Sequence, residues 1–225
     1  MLDSQELTTY LCQFITERRQ ALLDKVIGQR TRFVTVVLEN IKQSHNASAI
    51  LRSAECFGIQ DVHIIEDENT WGTNKRVLKG AHKWLDIHRY KTKGVNNTEA
   101  CFARLKAQGY RLYLADPSPE GVPMDEIPVH QKIALVFGSE QTGSSAYALQ
   151  YADVKAHIPM AGFTESFNVS VSAAVALHSV LPGVRKSEGW ALSESEKAAL
   201  KLSWLRKSIR NVKMLEEKFY DLQSK

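Results

Sequence analysis

The sequence predicts an α/β protein: a parallel sheet with helices on both faces, extended by further helices at each end. Three observations predict it. Short, nearly unbroken apolar runs punctuate the middle of the chain, as strands buried on both faces do. Segments of helical character separate those runs, which is the pattern of a sheet covered on both sides. The two ends are rich in long, charged, helix-favouring residues.

Taken in order, the first thirty residues read as helix, because Leu11, Phe14, Ile15, Leu22, Leu23 and Val26 recur at about helical spacing and Gly28 ends the pattern. Phe33 to Leu38 is a β-branched run short enough for a buried strand. Further strand runs fall at Val62–Ile65, Leu112–Ala115 and Ile133–Phe137. Thr98 to Lys106 reads as helix, with Gly109 where a C-terminal cap prefers it. After Pro182-Gly183 the composition turns charged and helical. The expected plan is a helical extension over residues 1–31, an α/β core over 32–181 and a second helical extension over 182–225.

Composition narrows the class. The chain has 225 residues, 44% hydrophobic and 24% charged, an ordinary balance for a globular protein. No apolar run approaches the roughly 18 residues of a membrane span. Acids occupy the first residues, where a secretory signal needs positive charge, so a cytoplasmic protein is expected. Cys12, Cys56 and Cys101 are too widely spaced for a metal knuckle or a disulfide framework and are expected to be buried thiols; no metal is expected. The net charge of +4 permits a nucleic-acid partner without requiring one.

Three segments carry candidate chemistry. The first, Asn40 to Gly58, is a polar loop entering a helix that Gly58 can cap. On a helical wheel Ile50, Ala54 and Phe57 share one face, while Ser48, Arg52 and Glu55 share the opposite one. Arg52 therefore points away from the core, either as a functional cation or as a solvated partner of Glu55, and Asn46 either works in a site or caps the helix. The second segment, Phe137-Gly138-Ser139-Glu140-Gln141-Thr142-Gly143, ends the most apolar strand. Ligands of open α/β sheets sit beyond the carboxyl ends of strands, so Glu140 is placed to function, although a plain turn would also fit. The third, Ile158 to Leu177, joins a strand end to a loop of small and apolar residues and then a helix. Such a loop can sandwich a flat heterocycle between Ile158 and Phe167, or Ser166 and Asn168 can simply cap the helix.

In order and spacing, His45-Asn46-x-Ser48-Ala49-Ile50-x-Arg52, Gly138-Ser139-Glu140-x-x-Gly143, and Ile158-Pro159-Met160 through Ser166-Phe167-Asn168-Val169-Ser170-Val171 resemble the three signature motifs of the SpoU branch of the SPOUT RNA 2′-O-ribose methyltransferases. The resemblance covers roughly residues 32–181. It extends loosely into the leading helix, where the chain is similar to the TrmH family, whose members methylate guanosine 18 in the tRNA D-loop. It implies a C-terminal trefoil knot, S-adenosylmethionine as cofactor, tRNA as substrate, and a homodimer whose site draws residues from both chains. Leu114, Ala115, Gly138, Ile158, Met160 and Phe167 match positions lining the adenosine pocket. Arg52 matches the catalytic arginine, Asn46, Glu140, Ser166 and Asn168 match the polar residues around it, and His45 falls beside them as an RNA contact.

Some positions depart from the pattern. Gln43-Ser44 stands where Lys-Pro often precedes His-Asn, and Gln141 replaces a frequent lysine. Near Gly80-Ala81-His82-Lys83-Trp84 the cations Lys75, Arg76, Lys79 and Lys83 could hold RNA phosphates or form a solvated face. Ribosomal RNA is the alternative target and a non-catalytic RNA-binding module the alternative class. The sequence has neither a glycine-rich phosphate loop nor a G-x-S-x-G elbow, which argues against other nucleotide enzymes and hydrolases.

Methyl transfer to a ribose hydroxyl requires in-line alignment and a destination for the hydroxyl proton. A guanidinium normally stays charged, so Arg52 is expected to stabilise the developing alkoxide, with Asn46 and Glu140 orienting it, whether or not it also accepts the proton. In the C-terminal extension, one residue per 100° puts Leu205, Ile209 and Val212 on an apolar stripe and Arg206, Arg210 and Lys213 on an adjacent basic stripe, expected to face RNA.

Overall fold

The structure, a computed structural model, describes residues 2–67, 72 and 74–223. The chain divides into two compact units, Met1–Arg30 with Ala191–Lys225, and Thr31–Trp190.

In the first unit the leading segment is two helices, α1 (Leu2–Cys12) and α2 (Glu17–Ile27), rather than one. Thr16 starts the second by accepting the Arg19 amide on its side chain, a cap that ends any continuous helix. Phe14, placed on the apolar stripe by periodicity, lies in the break and is 45% exposed.

The second unit follows as β1 (Val34–Glu39), α3 (Ser44–Cys56), β2 (Asp61–Ile65), α4 (Lys75–Leu78), β3 (Asp86–Tyr90), α5 (Asn97–Ala107), β4 (Tyr110–Ala115), β5 (Val122–Pro123), β6 (Lys132–Phe137), α6 (Ala146–Tyr151), β7 (Val154–His157) and α7 (Val169–Val184). Among the described residues the seven strands form one sheet in the order β3-β2-β1-β6-β4-β7-β5, and every pairing is parallel. The four runs read from the sequence became β1, β2, β4 and β6, which include the sheet's centre.

Strand alternation explains why those runs are almost wholly apolar, with Thr35 and His63 the polar exceptions. Val36, Leu38, Leu135 and Phe137 enter one core with Ile50 and Ala54 of α3 and Leu177 and Val180 of α7. Val37, Ala134 and Val136 face the other core with Phe102 and Leu105 of α5 and Ala148 of α6. Both faces are dry, so no position in these strands can be polar without a partner.

The helix limits are largely as the sequence suggests. Gly109 adopts φ +81° just past α5 and Gly58 φ +83° just past α3, the left-handed geometry that glycine supplies at a helix end. At the other end of the core α7 does not stop at Pro182-Gly183. It continues to Val184, because a proline one turn from the end removes only the donor to His178 and leaves the last turn intact.

α8 (Glu194–Ser208), opened by a Ser193–Glu196 capping box, and α9 (Val212–Gln223) complete the first unit. α8 packs on α1 and α2, and α9 on α1, burying Leu7, Leu11, Leu23, Trp204, Leu205 and Phe219. The continuous helix assumed for the two C-terminal stripes does not exist: Ile209 is extended and Asn211 has φ +57°, so the 100° register is lost between Leu205 and Val212. No described helix is long and apolar enough to cross a membrane. The thiols are free, but only Cys101 is buried, and burial pushes its pKa up to about 12; Cys56 is exposed because it lies on the outer side of α3.

Candidate active site

The loops after β4, β6 and β7 leave the carboxyl ends of adjacent strands and enclose a cleft of about 530 Å³. Ala115 ends β4, Gly138 follows β6, and Ile158 follows β7; Met160 and Phe167 come from the long loop into α7. Five of the six residues matched to an adenosine pocket therefore line this cleft. Leu114 does not. Strand alternation turns it to the opposite core, where it is fully buried beside Ala134 and Val136.

Gly138 has a steric reason to be glycine. A Cβ there would stand 2.6 Å from the Ser144 amide nitrogen and 2.7 Å from the Gly143 carbonyl, all backbone atoms that cannot move aside. The approach is fixed by a tight bridge in which the Ser139 and Gly143 amides donate to each other's carbonyls at 2.9 and 3.0 Å. Glycine at this point lets the loop after β6 fold back on itself at the mouth of the cleft.

The polar edge of the cleft is a directed network. Glu140 Oε1 accepts from Asn46 Nδ2 at 2.9 Å, and its carboxylate also accepts the Lys42 and Gln43 amides at 3.0 and 3.4 Å. Asn46 Oδ1 in turn accepts from Asn168 Nδ2 at 3.3 Å, and Asn168 Oδ1 accepts the Ser170 amide and hydroxyl at 2.9 and 2.6 Å. A carboxylate can only accept, so it fixes which way both amides point. Burial pulls the Glu140 carboxyl toward the neutral form, yet the donors from Asn46 and from backbone amides outweigh it and hold the pKa below the ordinary value.

Asn46 is buried within the first turns of α3 and caps nothing; Gln43 holds the cap position. Asn168 both caps α7 and joins the network, so the capping and functional readings of that residue coexist. Ser166 lines the cleft and is exposed. Lys42 Nζ donates to Gln141 Oε1 at 2.8 Å, a contact that a lysine at 141 would replace with like-charge repulsion.

Arg52 and His45 are exposed on α3, and neither lines the cleft. Within one chain Asn46 and Glu140 bond each other, and among the described residues no hydrogen bond joins either to Arg52. Arg52 sits six residues beyond Asn46, which is about 9 Å along the helix and a third of a turn around it. Ser48, grouped with Arg52 by the wheel, is fully buried and accepts the Asn74 amide at 2.9 Å. Lys75, Arg76, Lys79 and Lys83 are all exposed around the short α4, which packs on α3. Arg206 pairs with Glu216 at 2.6 Å, whereas Arg210 and Lys213 are exposed and make no ion pair among the described residues.

Sequence reasoning missed His157, Asp116 and Met124, which also line the cleft. His157 Nδ1 is buried there with no hydrogen-bond partner among the described residues. Its position directly before Ile158-Pro159 was the available signal. Met124 arrives from the connection after β5, to which no local pattern pointed.

The cleft offers an apolar slot and a fixed set of amide and carboxylate groups at its rim. This defines an α/β protein built to hold a flat polar-edged ligand at the carboxyl ends of its strands. Residues 33–178 match the SpoU rRNA Methylase family, and the chain belongs to that family. It is 38% identical over 207 residues to the tRNA (guanosine(18)-2′-O)-methyltransferase of Borreliella burgdorferi, covering 92% of this chain and 93% of that protein. The enzyme of the same description from Escherichia coli is 31% identical over 71% of this chain and 68% of its own length. Among solved structures, the TrmH/SpoU tRNA modifying enzyme of A. aeolicus superposes with a TM-score of 0.74 at 27% identity, covering 87% of this chain and 98% of that one.

Proposed function

We propose that the protein is an S-adenosylmethionine-dependent tRNA methyltransferase that modifies a ribose 2′-hydroxyl, that of guanosine 18 in the D-loop. The observation that carries the reading is the cleft itself, where Gly138, Ile158 and Phe167 leave an apolar slot beside the Glu140–Asn46–Asn168 network. The names of relatives that this chain matches over most of their length support tRNA as the substrate. The residues present suit the cofactor: Ile158 and Phe167 cover a base, and the small residue Gly138 lines the same cleft. When bound, S-adenosylmethionine supplies an electrophilic methyl group on a sulfonium.

The network keeps the rim rigid, so that a ribose hydroxyl entering beside it is held in line rather than searching for alignment. Arg52 contributes positive charge against the developing alkoxide. Its distance from the network within one chain fits a homodimer in which Arg52 of one copy reaches the cleft of the other. By the same family reading, the loops around the cleft belong to a trefoil knot and the enzyme works in the cytoplasm. Lys75, Arg76, Lys79, Lys83, Arg210 and Lys213 take the phosphates of the tRNA, with His45 close to the reacting nucleotide.

The test is to incubate purified protein with labelled methyl donor and separate tRNA and rRNA pools, then map the modified nucleotide. Label on guanosine 18 of tRNA is expected. Label confined to rRNA would move the target, and none in either pool would remove the catalytic reading.

A further inference from the structure

We propose that a second cavity, at the amino ends of the strands, binds a phosphate group and is separate from the methyl-transfer cleft. It has a volume of about 330 Å³ and is lined by Arg32, Asp61, His63, His88, Arg104, Gln108, Tyr110 and Lys132. Tyr110 begins β4, Lys132 begins β6 and Asp61 begins β2, whereas the cleft lies past the other ends of the sheet. Six-residue strands rising about 3.3 Å per residue put roughly 20 Å between the two.

Asp61 and His63 form a buried floor, and the Asp61 carboxylate is held by two donors. Asp61 accepts from Arg32 and, at 2.8 Å, from His88 Nε2, while Arg32 also donates to Asp86 at 2.7 Å. Burial, with smaller contributions from the neighbouring His88 and the Arg104 guanidinium, pushes His63 down to about 3, so this ring stays neutral, stacked on His88 with centroids 4.7 Å apart. Among the described residues that line the cavity Asp61 is the one acid, and its carboxylate is covered by Arg32 and His88.

The rim is different. Arg104 and Lys132 are exposed, and neither meets a carboxylate among the described residues. Arg104 Nη2 reaches the His88 ring at 3.5 Å and its guanidinium also bonds the Tyr90 side chain, while Lys132 Nζ donates to the Gln108 carbonyl at 3.4 Å and lies 5.3 Å from the Tyr110 ring. A guanidinium fork and an ammonium converging over a closed polar floor suit a tetrahedral, multiply charged oxyanion better than a single carboxylate. The phosphate can belong to a small phosphate ester or to the backbone of bound RNA.

Calorimetric titration of the full chain with inorganic phosphate tests this, comparing wild type with the double variant Arg104→Gln, Lys132→Gln. Both positions are exposed, and unchanged S-adenosylmethionine affinity reports an intact fold. Saturable binding to wild type, weakened at least about tenfold in the variant, is expected. Repeating the titration with saturating tRNA separates the sources. Loss of phosphate binding, with weaker tRNA binding by the variant, identifies an RNA phosphate; binding undisturbed by tRNA identifies a small ester. Absence of saturable binding up to about 10 mM, or equal binding by both proteins, overturns the proposal.

Discussion

Asn46 donates to Glu140 at 2.9 Å across 94 residues of sequence, tying the first turns of α3 to the loop after β6. The Glu140 pKa is held below its ordinary value of 4.5, so the folded state favours the carboxylate. A group with a depressed folded pKa adds stability that is present above the unfolded value and lost as pH falls through the folded one. Wild-type stability should therefore decline below about pH 4.5 in part through this residue. Glu140→Gln should flatten that decline and, at neutral pH, lose about 1–3 kcal/mol, because an amide NH2 would face donors from Asn46 and two backbone amides. Denaturant melts from pH 3 to 7 check this. Identical pH profiles for the two proteins would show that the network does not hold the loop.

Phe167 and Ile158 flank the apolar slot but differ in burial. Phe167 is 45% exposed, whereas Ile158 packs against the main core. Phe167→Ala should weaken S-adenosylmethionine binding about tenfold or more with little change in melting temperature, since an exposed ring gives up little core contact. Ile158→Ala should weaken the cofactor and also lower stability by about 1–3 kcal/mol. RNA affinity should change little in either. Cofactor affinity equal to wild type in both variants would remove the slot from the cofactor site.

The C-terminal cations do not form the single basic stripe that periodicity suggested, and this changes what their removal should do. Arg206 is engaged by Glu216, leaving Arg210 and Lys213 to meet phosphates. The triple change Arg206→Gln, Arg210→Gln, Lys213→Gln should lower the slope of log K for tRNA against log salt by about 1–2 units, and the single change at Arg206 by much less. The modified base should stay the same. An unaltered slope in the triple variant would assign α8 and α9 to the fold alone.

Much of this architecture is legible in the sequence because burial on both faces leaves the central strands little choice. Ile133 to Phe137 is apolar at every position for that reason, and Val34 to Leu38 at all but Thr35, whose hydroxyl donates to the Asp61 carbonyl. The edge strand β3 escaped because Asp-Ile-His-Arg-Tyr is half-exposed and polar, and β5 is too short to carry a pattern. For the site, residue types alone left Glu140 a turn and Asn46 a cap; family resemblance singled them out, and the geometry then joined them. Ser48 defeated the helical wheel because α4 covers it, a tertiary fact with no local signal. The break at Asn211 escaped for the opposite reason: a single left-handed residue resets a helix without altering the apolar spacing around it.

Arg52 poses the sharpest question about the assembly, because it is exposed on α3 and does not line the cleft whose chemistry it is expected to serve. Arg52→Ala should fold and bind S-adenosylmethionine normally while methyl transfer falls by at least about 10²-fold, the usual cost of one electrostatic contact to a developing oxyanion. Wild-type turnover would end the assignment. If each active site combines Arg52 from one chain with Asn46 from the other, then Arg52→Ala and Asn46→Ala damage complementary halves. Co-expressed, the two chains would pair at random, and half of the dimers would be mixed. Each mixed dimer would carry one intact site and one doubly damaged site, so about a quarter of wild-type activity should return. Either variant alone should stay inactive. If both variants fold and form mixed dimers yet no activity returns, Arg52 must act on the cleft of its own chain, and α3 would have to move to bring it there.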